Sequence, residues 1–331
     1  MKKHLDFYKG GLAYLLMIGL TYTVGAILMV LATFIIAKIA GIPYDYEQIL
    51  LRDDFTFVAL VINQIMFIIA CLPFMRKVKD VKRICNFNKP IKKLDYLAAI
   101  FLGIGMILGM TVLSEIFIKL LGLVGYTPTP SPFPVMKGKT GTFITAIFAV
   151  CLLPAICEEM FFRGLLLDSL RGVSDWFAAI ISAVMFMLIH ASPLQTLYQF
   201  IGGLIFAIVA IKSNSILPGI VMHFLNNFYA ILLDYVGLGE LSFPTFAVVI
   251  GWVLIVLCLT YFLTKKELVM TFKRQKEEVV RLADDDRINE LLLREKKAQN
   301  TSNNIVGILA YVASVILCLV LWITQFVAGL G

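Results

Sequence analysis

Apolar residues along this chain fall in long unbroken runs, separated by short polar intervals. Runs of spanning length occupy about 11–40, 55–75, 95–122, 141–168, 175–191, 195–211, 216–236, 244–263 and 305–329. A helix needs roughly 20 apolar residues to cross the hydrocarbon of a bilayer. The pattern therefore predicts an all-α, polytopic transmembrane bundle of about nine spans (eight to ten). The run at 175–191 is short and stops before Pro193. The expected organisation is N-terminal transmembrane helices over 1–140, a core over 141–236 and a further transmembrane helix in 237–263. A charged cytoplasmic segment over 264–304 and a C-terminal transmembrane helix in 305–331 complete it.

Composition sharpens this picture. Of 331 residues, 60% are hydrophobic and 15% charged, which excludes an ordinary soluble domain. The net charge of +7 does not point to nucleic acid, because the basic residues cluster between apolar runs. Arg76, Lys77, Lys79, Lys82, Arg83, Lys89, Lys92 and Lys93 face the single acid Asp80 in one such loop. By the positive-inside rule this loop is cytoplasmic, and so is the N-terminus with Lys2, Lys3 and Lys9. The loop with Asp45, Glu47, Asp53 and Asp54 then lies outside. A multi-pass protein of the cell membrane, surrounded by lipid, is expected. The first run is long for a signal peptide and lacks a small-residue cleavage site, so it reads as a retained span.

Other features read as structural. Cys71, Cys151, Cys157, Cys258 and Cys318 lie in apolar runs and Cys85 in the basic loop, with no pair at metal or disulfide spacing. Gly105 and Gly109 form a small-residue packing pattern. The stretch Tyr126–Pro134 holds four prolines and predicts a stiff, extended spacer. In 264–304, Glu277–Arg281 and Glu290–Arg294 have the spacing of supportive helix pairs, so a surface helical pair competes with a linker. Asp284, Asp285 and Asp286 lack the glycine of a calcium-binding loop and read as a solvated turn.

Candidate chemistry lies inside the fourth run, where Glu158, Glu159 and Arg163 occur within six residues. An ionisable side chain at the centre of a spanning helix costs roughly 2.5–3.5 kcal/mol on insertion scales, so such residues mark function by default. Glu159 and Arg163 are four apart and can neutralise one another on one helix face. Glu158 lies about 100° away and has no local cation. His190 closes Phe186-Met-Leu-Ile-His190, and His223 shares a helix face with Asn227, with Asn226 as a rival. Glu158 is 13 residues above Arg171, and His190 is 15 residues above Asp175. At 1.5 Å per residue both stand about 20 Å from the intervening turn. His223 rises only some eight residues above the turn at Ser213–Ser215, so a common level requires the fourth and fifth helices to project beyond the membrane or tilt. Pro154, four residues before Glu158, frees a carbonyl beside the site.

A carboxylate, two imidazoles and a carboxamide converging in an apolar cavity suggest hydrolysis by water. Two routes are open. Glu158, assisted by His190, draws a proton from water while His223 and Asn227 stabilise the oxyanion. In the other, Glu158, His190 and His223 hold zinc, the one cofactor the residues suggest without requiring it. The histidines stand on separate helices, so local spacing does not impose metal geometry.

Glu158-Glu159-x-x-x-Arg163, Phe186-x-x-x-His190 and His223-x-x-x-Asn227 resemble, in order, the three motifs of the CPBP superfamily. These are the CAAX-processing and bacteriocin-processing intramembrane proteases, including type II CAAX prenyl proteases and Abi proteins. The resemblance covers roughly residues 141–230. It implies a helical intramembrane endopeptidase whose catalytic residues are Glu158, His190, His223 and Asn227, supported by Glu159 and Arg163. It also implies, as partner, a peptide or protein substrate with a membrane-associated end, such as a prenylated CAAX tail or a leader peptide. The rival reading is a non-catalytic scaffold or bacteriocin-immunity-type protein that retains the motifs.

Overall fold

The computed structural model describes residues 4–75, 78–85, 92–127, 138–238, 243–265 and 286–330; the side chains of Val78, Arg83 and 286–301 fall outside that description. All regular structure among the described residues is helical. In chain order the helices are α1 (Phe7–Ala40), α2 (Tyr46–Leu50), α3 (Asp53–Cys71), α4 (Val78–Ile84), α5 (Lys93–Leu123) and α6 (Thr140–Leu170). They continue with α7 (Asp175–Ile189), α8 (Thr196–Ser213, entered through a 3₁₀ turn at Pro193–Gln195), α9 (Leu217–Val236), α10 (Thr245–Thr264) and α11 (Asp286–Ala328).

Among the described residues, seven helical stretches are long and apolar enough to cross a membrane: Phe7–Ala40, Asp53–Cys71, Lys93–Leu123, Thr140–Leu170, Pro193–Ser213, Thr245–Thr264 and Ser302–Ala328. The protein is an all-α polytopic membrane bundle. Of the nine expected runs, the two that fall short are α7, with 15 residues, and α9, with 20 residues that include His223, Asn226, Asn227 and Asp234. α7 is apolar but too short, and His190 caps its end, whereas in α9 the polar side chains dilute the apolar length that crossing hydrocarbon requires.

Close backbone approach organises the periphery. On α5, a Cβ added to Gly105 would lie 2.9 Å from the Gly251 carbonyl oxygen, and one added to Gly251 would lie 2.5 Å from Gly109 N. The small-residue pattern is thus the contact face between α5 and α10. The last helix is an integral part of the bundle. Tyr311 Oη on α11 meets Ser169 Oγ on α6 at 3.1 Å, and Trp322 Nε1 donates to Thr196 Oγ1 at 2.8 Å. From α1, the buried Tyr14 donates its hydroxyl to the Met185 carbonyl on α7 at 2.7 Å. The N-terminal tail is tied to the foot of α6, where Asp168 accepts from Leu5 N at 2.9 Å and meets His4 Nδ1 at 2.9 Å.

Two segments outside the long apolar runs are also described. Cys85, assigned to a basic loop, is fully buried at the end of α4, and a Cβ on Gly164 would lie 2.9 Å from its Sγ. The Val78–Ile84 helix folds the segment back beneath α6, which periodicity over seven residues cannot reveal. The polar stretch before the last span is also helical from Asp286 and runs into α11 without a break. The proline stretch beyond Thr127, the Glu277–Arg281 pair and Asp284–Asp285 lie outside the described residues, as do the side chains of Glu290 and Arg294.

Candidate active site

The site is built on α6, and α6 is irregular there for a reason that lies in its sequence. Pro154 has no N–H, so the Val150 carbonyl four residues earlier has no α-helical donor. The helix widens into π geometry over Ile147–Leu152 just before the proline, and again over Glu159–Leu166. Such bulges in a helix are common at functional sites. The freed carbonyl does not stay empty: Asn227 Nδ2 on α9 donates to Val150 O at 2.8 Å. Asn227 Oδ1 in turn accepts from Asn226 Nδ2 at 3.3 Å, and Tyr198 Oη on α8 donates to Asn226 Oδ1 in a short hydrogen bond. This chain of amides ties α6, α8 and α9 together at the level of the site.

The two neighbouring glutamates have separate environments. Glu159 and Arg163 are both 0% exposed and pair at 2.8 Å between Oε1 and Nη1. The guanidinium lies 4.2 Å from the Phe186 ring centroid and 5.0 Å from that of Phe206, with Nη2 donating to Gly203 O at 3.3 Å. Aromatic faces attract a desolvated cation, which offsets part of its burial cost. Glu159 Oε1 also faces His223 Nδ1 at 3.2 Å. Glu159 Oε2 and Arg163 Nε are buried without a hydrogen-bond partner among the described residues. Space for Glu159 depends on Gly219, whose added Cβ would lie 2.8 Å from Oε2.

Glu158 is the accessible member, with a side chain 12% exposed. Its Oε2 stands 3.9 Å from His223 Nε2, and its Oε1 accepts from Gln64 Nε2 on α3 at 3.0 Å. The 3.9 Å separation is too long for a direct hydrogen bond, and a water beside the two atoms is within reach of both. His190 sits as the C-terminal cap of α7, followed by Ala191 with φ of 46°. Its Nδ1 lies 2.7 Å from the Phe186 carbonyl, and its ring packs edge-on to Phe186 at 4.9 Å. A carbonyl accepts only, so Nδ1 of His190 carries a proton. By the same reasoning the Glu159 carboxylate selects a proton on Nδ1 of His223. Each ring is thus held through its Nδ1–H, with Nε2 on the opposite side of the ring. Glu158, His223 and Arg163 lie within electrostatic reach of His190.

The structure thus gathers Glu158, Glu159, Arg163, His190 and His223, and places Asn227 against the α6 backbone. Gln64 was not expected; its signal in the sequence is the adjacent pair Asn63-Gln64 inside an apolar run. Among the described residues no three His, Cys, Asp or Glu side chains are grouped as ligands for a metal ion.

Fold and site together define a multi-pass helical membrane protein that encloses a cluster of carboxylates, imidazoles and amides between its core helices. Residues 140–229, which contain all of these groups except Gln64, match the family model described as "Type II CAAX prenyl endopeptidase Rce1-like". The match supports placement in the CPBP/CAAX protease family and, at family level, a CAAX-type intramembrane endopeptidase. No curated protein and no solved structure matches the chain.

Proposed function

We propose that this protein is an intramembrane endopeptidase that cleaves a peptide bond near the membrane-associated end of its substrate, using water activated by Glu158. The observation that carries this reading is the division of labour between the glutamates. Glu159 is fully buried and committed to Arg163 and His223, whereas Glu158 keeps one oxygen 3.9 Å from His223 Nε2, without a direct hydrogen bond to it. Both groups come from the segment that matches the CAAX endopeptidase family. The substrate class that follows is a prenylated CAAX-type or leader peptide.

In this mechanism a water between Glu158 and the imidazoles gives a proton to Glu158 Oε2 as its oxygen attacks the scissile carbonyl. The tetrahedral oxyanion accepts from Nε2–H of His223, a proton the ring holds before and after turnover while its Nδ1–H points to Glu159, with the free hydrogen of Asn227 Nδ2 as a second donor. Arg163 holds Glu159 in place and so fixes the orientation of the His223 ring. The C–N bond then breaks, and the proton held by Glu158 passes to the departing amine. Water is consumed and no group is left altered. His190 Nε2 orients the incoming water.

The test is cleavage of a prenylated CAAX-type reporter peptide by purified protein in detergent micelles. Wild type is expected to release product and Glu158→Ala to be inactive at the same folded fraction. Cleavage by Glu158→Ala would overturn the assignment. A wild type that binds but never cleaves the reporter would favour the scaffold reading.

A further inference from the structure

We propose that Gln64 is a positioning residue for the general base, a role that rests on the reading of Glu158 as that base. Gln64 is buried in the middle of α3, and its Nε2 donates to Glu158 Oε1 at 3.0 Å. The bond joins helices 94 residues apart in sequence. It makes the two carboxylate oxygens unequal. Oε1 is committed to the amide, and the lone pairs of Oε2 are left towards His223 Nε2 and the gap between them. Without that bond the carboxylate is free to turn about its terminal torsion, a broad and roughly two-fold one.

The amide orientation follows from chemistry. Turning it over would set Gln64 Oε1 against Glu158 Oε1, acceptor against acceptor. In the observed orientation Gln64 Oε1 is buried and has no hydrogen-bond partner among the described residues. An unpaired buried amide oxygen is costly and calls for an explanation. An apolar side chain of similar length would fill the space without that cost, so packing does not account for glutamine here. Directing a donor at the base does. The support is rigid, since Phe67, one turn further along α3, packs against Phe161 and Phe162 of α6 at 5.4 and 5.9 Å between centroids.

The experiment compares wild type, Gln64→Met and Glu158→Gln with the reporter peptide, reading kcat, KM and the unfolding midpoint in detergent. Methionine keeps the length and removes the donor. Losing one hydrogen bond to a charged group is expected to lower kcat about 10- to 100-fold. KM should stay within about twofold, because the bond does not touch substrate, and the midpoint should be unchanged. A Gln64→Met kcat within threefold of wild type, beside an inactive Glu158→Gln, would overturn the role of Gln64 alone. A fall in kcat matched by a fall in the unfolding midpoint would overturn it in favour of a structural role. If Glu158→Gln cleaved like wild type, the reading of the base would itself be overturned.

Discussion

Replacing Arg163 with methionine tests the electrostatic foundation of the site. Arg163 and Glu159 are both 0% exposed and 2.8 Å apart, so the substitution strands a carboxylate in an apolar interior. Breaking a buried pair by removing one partner typically costs about 3–5 kcal/mol. The guanidinium also loses its contacts with Phe186 and Phe206, at 4.2 and 5.0 Å, worth about 2 kcal/mol for a desolvated cation. His223 Nδ1–H remains as a donor to Glu159 at 3.2 Å, which keeps the total at the lower end of the sum, about 5 kcal/mol. The double variant Glu159→Gln/Arg163→Met removes the stranded charge and should recover about 2 kcal/mol of that loss. The assay is SDS-driven unfolding from mild detergent, run as a double-mutant cycle over both positions. A single Arg163→Met variant as stable as wild type, or a coupling energy near zero, would refute the buried pair.

Other expectations follow from particular contacts. Gly219→Ala puts a methyl 2.8 Å from Glu159 Oε2 and should displace Glu159 from His223, lowering reporter turnover about tenfold or more with little change in KM; unchanged turnover would contradict it. Asn227→Ala leaves the Val150 carbonyl without its donor, at a cost of about 1–3 kcal/mol, and hydrogen exchange should speed up at the proline bend of α6. Gly251→Leu cannot fit against Gly109 and should separate α10 from α5, seen as lost stability in the same SDS titration and increased protease sensitivity of α10. Cys157→Ala should leave turnover within about twofold, because the thiol is a buried apolar neighbour of Glu158 rather than a nucleophile.

Much of this architecture is legible in hydrophobic run lengths. The fourth run, read as 141–168, is the helix Thr140–Leu170, and the eighth, read as 244–263, is Thr245–Thr264. Membrane helices satisfy their own backbone, so length and apolarity define them without tertiary help. The Glu159–Arg163 pair was readable for the same reason, being local. Less was visible where partners are distant in sequence. Gln64 has no local partner to betray it, and its contact lies 94 residues away. The attachment of Asn227 needed both the proline rule, which frees Val150, and the packing of α9 on α6. The depth mismatch expected for His223 disappears because the helices bring it to both glutamates, at 3.2 and 3.9 Å. Counting residues along straight helices does not capture that.

The most direct test of the account is single-turnover cleavage by Glu158→Gln, an exchange that keeps size and shape and removes the base. Proton transfer by a positioned carboxylate contributes about 10²–10⁴-fold. The expected result is a first-order cleavage constant lower than that of wild type by at least about 10²-fold, with substrate binding unchanged. A constant equal to that of wild type would contradict the central claim, because the water would then be activated by some other group.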